Sequence, residues 1–225
     1  EFSFLELCKK IRNGETIEDI KGIALRSNEE IKVNAIRPLI EDLDALPFPA
    51  RELVDFNSYI KSYGVLERSV DVLSSRGCTN RCAFCSSGHL FGRWRPRSPG
   101  NIIKELEFLI HEYPSIKSIN YMDDNFTADK ERVLKLCALL ITRGLNKYNW
   151  VCLARVDQLD TEIVHAMKTA GCMRVHLGIE SGSPEILKNI NKRISLEQAK
   201  KAVCLLREAK IEAYSFFMIG HPGET

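Results

Sequence analysis

The chain has 225 residues, of which 44% are hydrophobic and 28% charged, a balance typical of a soluble globular protein with one sizeable core. Its formal net charge of +2 gives no indication of a nucleic-acid or membrane partner. No run approaches the roughly eighteen apolar residues of a membrane span. The start, EFSFLELCKK, lacks the order of a signal peptide, so we expect a reducing, cytoplasmic location.

The N-terminal part predicts a small appendage followed by a linker. Residues 4–12 are predicted to be helical, and residues 22–35 to form a β-hairpin around a Ser-Asn-Glu-Glu turn. An acidic stretch with three prolines follows: Pro38, Pro47 and Pro49. Because proline interrupts regular elements, this stretch predicts a linker or wrapping segment. We therefore divide the chain into an N-terminal segment, 1–65, and a core, 66–225, and expect a fragment of a longer protein.

From there, short apolar strands alternate with amphipathic helices about five times. Strands are predicted at Val72-Leu73 and at 116–122, 150–154, 173–178 and 211–219. Helices are predicted to begin at Ser98-Pro99, Thr127, Thr161, Ser183-Pro184 and Ser195. This alternation predicts an α/β fold, a parallel sheet or partial barrel with right-handed crossovers. Ligands bind at the carboxyl ends of strands in such folds, and every polar cluster discussed below follows a predicted strand.

The first of these clusters is RGCTNRCAFCSS, residues 76–87, in which Cys78, Cys82 and Cys85 have the spacing C-x3-C-x2-C. Thiolates are soft ligands that suit iron–sulfur clusters. A cluster of four irons held by three cysteines keeps one iron open for a small molecule. Three ligands therefore favour a cluster that acts on a bound molecule over a simple electron carrier.

Zinc is the competing interpretation of the same segment. His89 extends the cysteines to C-x3-C-x2-C-x3-H, which offers the four ligands of a structural tetrahedral site. Under this alternative the chain is a zinc-stabilised binding module rather than an enzyme. Spacing alone leaves both interpretations open.

Residues 70–225 resemble the radical S-adenosylmethionine (SAM) superfamily, whose cluster motif places an aromatic residue, here Phe84, before the last cysteine. MDDN at 122–125 stands where the family carries an acidic motif, although the usual form there is Gly-Gly-Glu. LARVD at 153–157 resembles the third-strand motif. LGIESGSPEILKNINK and FFMIGHPGET resemble the fourth- and fifth-strand segments of the cobalamin-associated subgroup.

The resemblance implies a fold, two cofactors and a chemistry. The fold is a partial (β/α) barrel of six units, of which about five are present here. The three cysteines would hold a [4Fe–4S] cluster with SAM on the open iron. An electron would cleave SAM into methionine and a 5′-deoxyadenosyl radical, which takes hydrogen from a substrate. This implies a reductant such as flavodoxin or ferredoxin.

The chemistry of SAM suggests which residues contact it. Asp123 or Asp124 could accept from its ammonium, and Arg155 could bind its carboxylate. The remaining candidates are Glu180 and Ser181 for the ribose hydroxyls, and Phe84 and Gly220 for the adenine. Each has a structural alternative: a strand end or a hard-cation site for the aspartates, an ion pair with Asp157 or Asp160 for Arg155, a helix-start acid for Glu180 and a turn for Gly220.

Residues 1–65 resemble the tail of a cobalamin-binding domain. No Asp-x-His-x-x-Gly motif occurs in the sequence, so we expect cobalamin in the full-length protein and none on this chain. The substrate is open, since the subgroup includes methyl transfers and ring formations. Without a sixth barrel unit, we expect the chain alone to turn over poorly.

Overall fold

A computed structural model describes residues 1–27 and 30–224. Contacts divide the chain into two compact units, 1–41 and 42 onwards. Within the described ranges, no helix is both long enough and apolar enough to span a membrane.

The first unit contains helix α1, Phe2–Asn13, and a hairpin of strands β1, Ala24–Ser27, and β2, Glu30–Val33. The helix ends at Gly14, whose φ of 69° suits a residue without a Cβ. The strands pair antiparallel, with Ala24 opposite Val33. The predicted helix and hairpin are confirmed, and the centre of the predicted turn, 28–29, lies outside the described residues.

The second unit is built on one mixed sheet. Its strands are β3 Lys61–Tyr63, β4 Leu66–Val72, β7 Ser118–Tyr121, β8 Asn149–Ala154, β9 Cys172–Glu180 and β10 Glu212–Phe217, and a separate small ribbon pairs β5, Ser75–Arg76, with β6, Arg95–Pro96. In the described chain the order of the main sheet is β10-β9-β8-β7-β4-β3. Strand β3 is antiparallel to β4, whereas β4, β7, β8, β9 and β10 run parallel. This confirms the predicted α/β fold of a partial barrel.

Helices connect the parallel strands. They are α2 Ser87–Leu90, α3 Pro99–Glu112, α4 Lys130–Thr142, α5 Thr161–Thr169, α6 Pro184–Asn189 and α7 Leu196–Glu208. Ser98, Ser183 and Ser195 cap α3, α6 and α7 as predicted. The predicted cap Thr127 is wrong: α4 begins two residues later, because Asp129 accepts from the Arg132 N–H at 3.0 Å.

One face of the sheet forms the core against the helices. Its alternate residues Ile119, Trp150, Cys152, Val175 and Leu177 are almost fully buried. Alternation then turns residues such as Asn120 and His176 to the opposite face, which is less buried. Burying each large apolar side chain contributes about 1.5–3 kcal/mol, so this layer fixes the strand ends that carry the polar clusters.

The boundary between compact units falls at 41/42 rather than at the predicted 65/66. The proline-rich stretch forms only short 3-10 turns, yet Leu43 and Ile60 are buried in the second unit. Arg51 also pairs with buried Glu105 of α3 at 2.8 Å. The prolines exclude regular helices and strands here, as predicted, but they do not prevent close packing.

Candidate functional site

The predicted polar clusters converge at the carboxyl ends of the parallel strands. The cysteine loop follows β4, Asp123 and Asp124 follow β7, and Arg155 follows β8. Glu180 is the last residue of β9, and Gly220 lies three residues beyond β10. Because parallel strands present these ends at one edge, Cys78 and Gly220 contribute to one rim although 142 positions separate them in the sequence.

The cysteine loop starts from a fixed backbone. Ser75 and Arg76 pair with Pro96 and Arg95 in the β5–β6 ribbon. Gly77 follows with a φ of 80°, and a Cβ there would lie 2.7 Å from the Arg93 carbonyl oxygen. The residue immediately before Cys78 therefore has to be glycine, on grounds of both conformation and space.

A second contact holds the middle of the loop. The Ala83 N–H donates to the carbonyl of Ile190 at 2.8 Å, and Asn191 Nδ2 donates to the carbonyl of Arg81 at 2.7 Å. These bonds join the loop around Cys82 to the segment after α6. Residues 190–191 had no predicted role, since an isoleucine and an asparagine in a helix-end segment carry no chemical signature.

The three loop thiols are free and accessible, with Cys78 and Cys82 half-buried and Cys85 exposed. Burial raises the pKa of Cys82, and the positive charges of Lys192 and Arg155 act in the opposite direction. Cys78 and Cys85 also act electrostatically on Cys82, since all three thiols lie on the short loop between β5 and α2. Nearby cations favour thiolates, the form that ligates iron.

Within the described ranges, no three His, Cys, Asp or Glu side chains are close enough to hold a single metal ion. His89 itself is exposed on α2. A four-iron cluster takes its ligands on separate irons, which suits three thiols on one fixed loop. The residues present fit such a cluster.

Asp123 is buried, with 1% of its surface exposed. Its Oδ1 accepts from the Ser74 N–H, and its Oδ2 accepts from the Ser74 and Ser75 hydroxyls, each at 2.6 Å. Burial raises the pKa of Asp123, while these hydrogen bonds and Arg132 oppose that effect. Both carboxylate oxygens thus face the segment that leads into the cysteine loop.

Asp124 differs from its neighbour because it is exposed. One of its carboxylate oxygens accepts a hydrogen bond from the hydroxyl of Ser87, at 2.7 Å. Ser87 lies two residues beyond Cys85 in the sequence. Of the two aspartates of MDDN, Asp124 is the one that a ligand can reach.

Arg155 is nearly buried and forms the ion pair considered above. Its Nε and Nη2 donate to the two oxygens of Asp157 at 2.9 and 3.0 Å, and Nη2 also donates to the carbonyl of Lys192 at 3.0 Å. This structural pairing does not remove its charge from the rim, since that charge acts on Cys82.

Glu180 pairs with a residue that the sequence interpretation missed. The Lys192 Nζ lies 2.8 Å from Glu180 Oε1, and both side chains are 9% exposed. Glu180 has a φ of 73°, which costs a non-glycine residue conformational energy. A Cβ at Gly178 would lie 2.6 Å from Glu180 Oε1 and 2.7 Å from Lys192 Nζ, so this glycine makes room for the pair.

The remaining candidates, Phe84, Ser181 and Gly220, differ in their exposure and in their contacts. Phe84 is 40% exposed, with its ring 5.8 Å from Lys192 Nζ and 6.1 Å from the ring of His221. Ser181 is buried, and its hydroxyl accepts from the Ser183 N–H at 3.1 Å. Gly220 has a φ of 94°, and its N–H donates to Glu224 at 2.6 Å in an exposed turn.

Lys192 and His221 belong to the rim. Both lie in segments that resemble the family, 177–192 and 216–225, but the sequence analysis gave neither residue a role. Lys192 lies in NKR, a polar run that is typical of a solvated loop, and His221 has no ligand spacing with another histidine. The structure brings both to Phe84, and through it to the cysteine loop. A lysine that is buried rather than solvated is the feature that reveals the site.

An α/β partial barrel with three accessible thiols and buried charges at the carboxyl ends of its strands has the features of a protein that holds a metal cluster and binds a small molecule there. The Radical SAM superfamily pattern matches residues 72–225, more than half of the chain. The chain belongs to the radical SAM superfamily, whose members use a [4Fe–4S] cluster and SAM. This resolves the choice between iron–sulfur and zinc in favour of iron–sulfur.

The relatives that this chain resembles include a methyltransferase and a cyclase. An uncharacterized methyltransferase of Pyrococcus horikoshii is 37% identical over 100% of this chain and 48% of its own length. An anaerobic magnesium-protoporphyrin IX monomethyl ester cyclase of Cereibacter sphaeroides is 30% identical over 94% of this chain and 34% of its own. The chain therefore spans at most about half the length of these relatives.

The fold is shared with a solved structure. The cobalamin-dependent SAM radical enzyme OxsB, with aqua-cobalamin bound, superposes with a TM-score of 0.83 at 23% identity. The superposition covers 97% of this chain and 32% of OxsB.

Proposed function

We propose that this chain is the SAM-cleaving core of a cobalamin-associated radical SAM enzyme. When bound, a reduced [4Fe–4S] cluster supplies the electron that splits SAM into methionine and a 5′-deoxyadenosyl radical, which takes a hydrogen atom from a substrate. Cys78, Cys82 and Cys85 are the cluster ligands. The observation that supports this most directly is the set of accessible thiols on a fixed loop beside two cations.

The roles in SAM binding follow from charge and exposure. Exposed Asp124 accepts from the ammonium, and Lys192 with Arg155 presents positive charge to the carboxylate. Asp123 is less suited to SAM than to the loop, because both its oxygens already accept hydrogen bonds. Glu180 and Ser181 are assigned to the ribose, and Phe84 and the backbone at Gly220 to the adenine.

The reaction of the full-length protein is methyl transfer or ring formation in this proposal, supported by the methyltransferase and cyclase among its relatives. Residues 1–65 would be the tail of a cobalamin-binding-type domain and residues 66–225 the radical SAM core, in a cytoplasmic protein. Cobalamin would bind to the full-length protein and not to this chain.

The electron would come from an acidic carrier such as flavodoxin or ferredoxin. Arg81, Lys188 and Arg193 are exposed around the contact between the cysteine loop and residues 190–191. Such cations attract an acidic partner in a salt-dependent way. Replacing all three by glutamate should slow cluster reduction by flavodoxin and leave reduction by dithionite unchanged. Equal rates with flavodoxin would place the docking surface elsewhere.

Anaerobic reconstitution with iron and sulfide tests the proposal. We expect about four irons per chain and an electron paramagnetic resonance signal of the reduced protein that changes on adding SAM. Cys82→Ala should lose the iron, whereas His89→Ala should keep it. One tightly held zinc that depends on His89, with no iron and no response to SAM, would overturn the proposal.

Variants of the acidic and basic side chains test the SAM contacts. Asp124→Asn and Lys192→Met should retain the iron but require higher SAM concentrations for the spectral change, because each removes a charge-assisted hydrogen bond worth about 1.5–3 kcal/mol. Lys117→Met, at an exposed lysine paired with Glu67 and remote from the rim, is the matched control. If these variants, the control and the unaltered chain all reach half of the spectral change at the same SAM concentration, the assignment of these contacts is wrong.

A further inference from the structure

A buried hydrogen-bond network connects the ends of β4 and β7. Asp123 accepts from Ser74 and Ser75, as described above. Arg132, in the first turn of α4, donates through Nη2 to the Ser74 carbonyl at 2.6 Å and to its hydroxyl at 2.7 Å. Its Nε donates to the carbonyl of Arg97 at 3.0 Å. The backbone of Ser74 is thereby held from two sides by opposite charges.

The network lies close to the first cysteine in sequence. Ser74 precedes Cys78 by four residues, and β5–β6 pairing and the conformation of Gly77 restrict the backbone between them. Cys82 is held differently, through Ala83 and Arg81 to residues 190–191. These two attachments are separate, since one lies before Cys78 and the other lies around Cys82.

We infer that Asp123 and Arg132 are positioning residues that fix Cys78, independently of the attachment that holds Cys82. Their bonds end on Ser74 and Ser75, so the pair acts on the cluster through the loop. The inference rests on the proposed function in that Cys78 is taken as a cluster ligand. It assigns a role to a buried charge pair that is too enclosed to meet a ligand directly.

The test uses the full chain without its cluster, so it does not depend on activity. Iodoacetamide labelling of native protein, resolved by mass spectrometry, gives a rate for each loop thiol. Asp123→Ala should accelerate labelling of Cys78 relative to Cys85 by about tenfold, as expected for losing hydrogen bonds to a charged group, and Arg132→Lys by less. Cys82 should be unaffected. Ser75→Ala, which removes a single hydroxyl, provides a milder variant should Asp123→Ala fail to fold.

Leu206→Ala is the control for general destabilisation, since Leu206 is fully buried in α7 away from the loop. It should lower the melting temperature without changing the ratio of Cys78 to Cys85 labelling. An Asp123 variant that accelerates all three thiols equally, or none, overturns the inference.

Reconstituted protein supplies the second readout. Asp123→Asn should retain iron but alter the electron paramagnetic resonance line shape and the reduction potential, and Leu206→Ala should alter neither. Failure of the proposed function would appear as absence of iron in the unaltered chain. Failure of this inference would appear as a normal cluster in both the unaltered chain and the Asp123 variant.

Discussion

The chain contains two groups of three cysteines with opposite surroundings. Cys78, Cys82 and Cys85 lie on the rim loop and are half-buried or exposed. Cys137, Cys152 and Cys172 lie in α4, β8 and β9 and are each 1% exposed. Burial raises the pKa of Cys137 to about 12, and burial with a hydrogen bond to Cys172 raises the pKa of Cys152 well above its ordinary value.

The comparison shows that clustering alone does not make a cysteine functional. The core thiols are also close to one another, since Cys152 and Cys172 interact directly and Cys137 acts on both. They are inaccessible, however, and burial raises the pKa of Cys137 and Cys152, so the group behaves as small apolar side chains. Exposure and neighbouring cations distinguish the group that can ligate iron.

Removing one cysteine from each group should give the largest difference. We expect Cys78→Ala to abolish iron binding on anaerobic reconstitution, and Cys172→Ala to retain about four irons per chain. Iron analysis of the two proteins side by side measures this. If the core variant loses its iron while circular dichroism shows an intact fold, the distinction between iron-binding loop cysteines and structural core cysteines is wrong.

Alkylation should separate the groups by rate and by pH. Burial raises the pKa of Cys137 to about 12 and keeps its thiol away from solvent, whereas Cys85 is exposed, so iodoacetamide should label Cys85 long before Cys137. Raising the pH from 7 to 8 should speed labelling of Cys82 nearly tenfold, because its pKa is raised and its thiolate fraction is still far from saturation. Rapid labelling of Cys137 in native protein would contradict the assignment.

Stability should respond to the core group and hardly to the loop group. Cys152→Ser puts a hydroxyl into the apolar core and should lower the free energy of unfolding by about 1–3 kcal/mol. In the cluster-free chain, Cys85→Ser should change it by less than about 0.5 kcal/mol, since the side chain is exposed. Urea denaturation of both variants measures the difference, and equal losses would show that the loop is part of the core.

Sequence patterns predicted the secondary structure and the rim well. Apolar periodicity and serine caps located the strands and most helices, and the placement of polar clusters after strands predicted their convergence. The partners of individual charges were not predictable. The pairing of Glu180 with Lys192 depends on Gly178 leaving space and on a left-handed residue at 180, and neither leaves a sequence pattern.

For the two aspartates of MDDN, the sequence likewise did not predict which one is buried. Adjacent and chemically identical, they lie just beyond the end of β7, where the backbone turns Asp123 into the interior and leaves Asp124 exposed. Residues 42–65 were predicted only as a linker or wrapping segment. Their packing within the second unit was not predictable, because its contacts come from isolated residues such as Leu43 and Ile60 rather than from a periodic pattern.

The two edges of the main sheet have unequal consequences for handling the protein. Short, antiparallel β3 covers β4 at one edge, whereas β10 forms the other edge of the described sheet with Tyr214, Phe216 and Phe217 at 49%, 40% and 61% exposure. An aromatic strand with open backbone groups is a template for pairing with another chain. Purified samples of this chain should therefore self-associate as the protein concentration rises. The substitution Phe217→Lys should reduce light scattering by these samples without altering the cysteine loop.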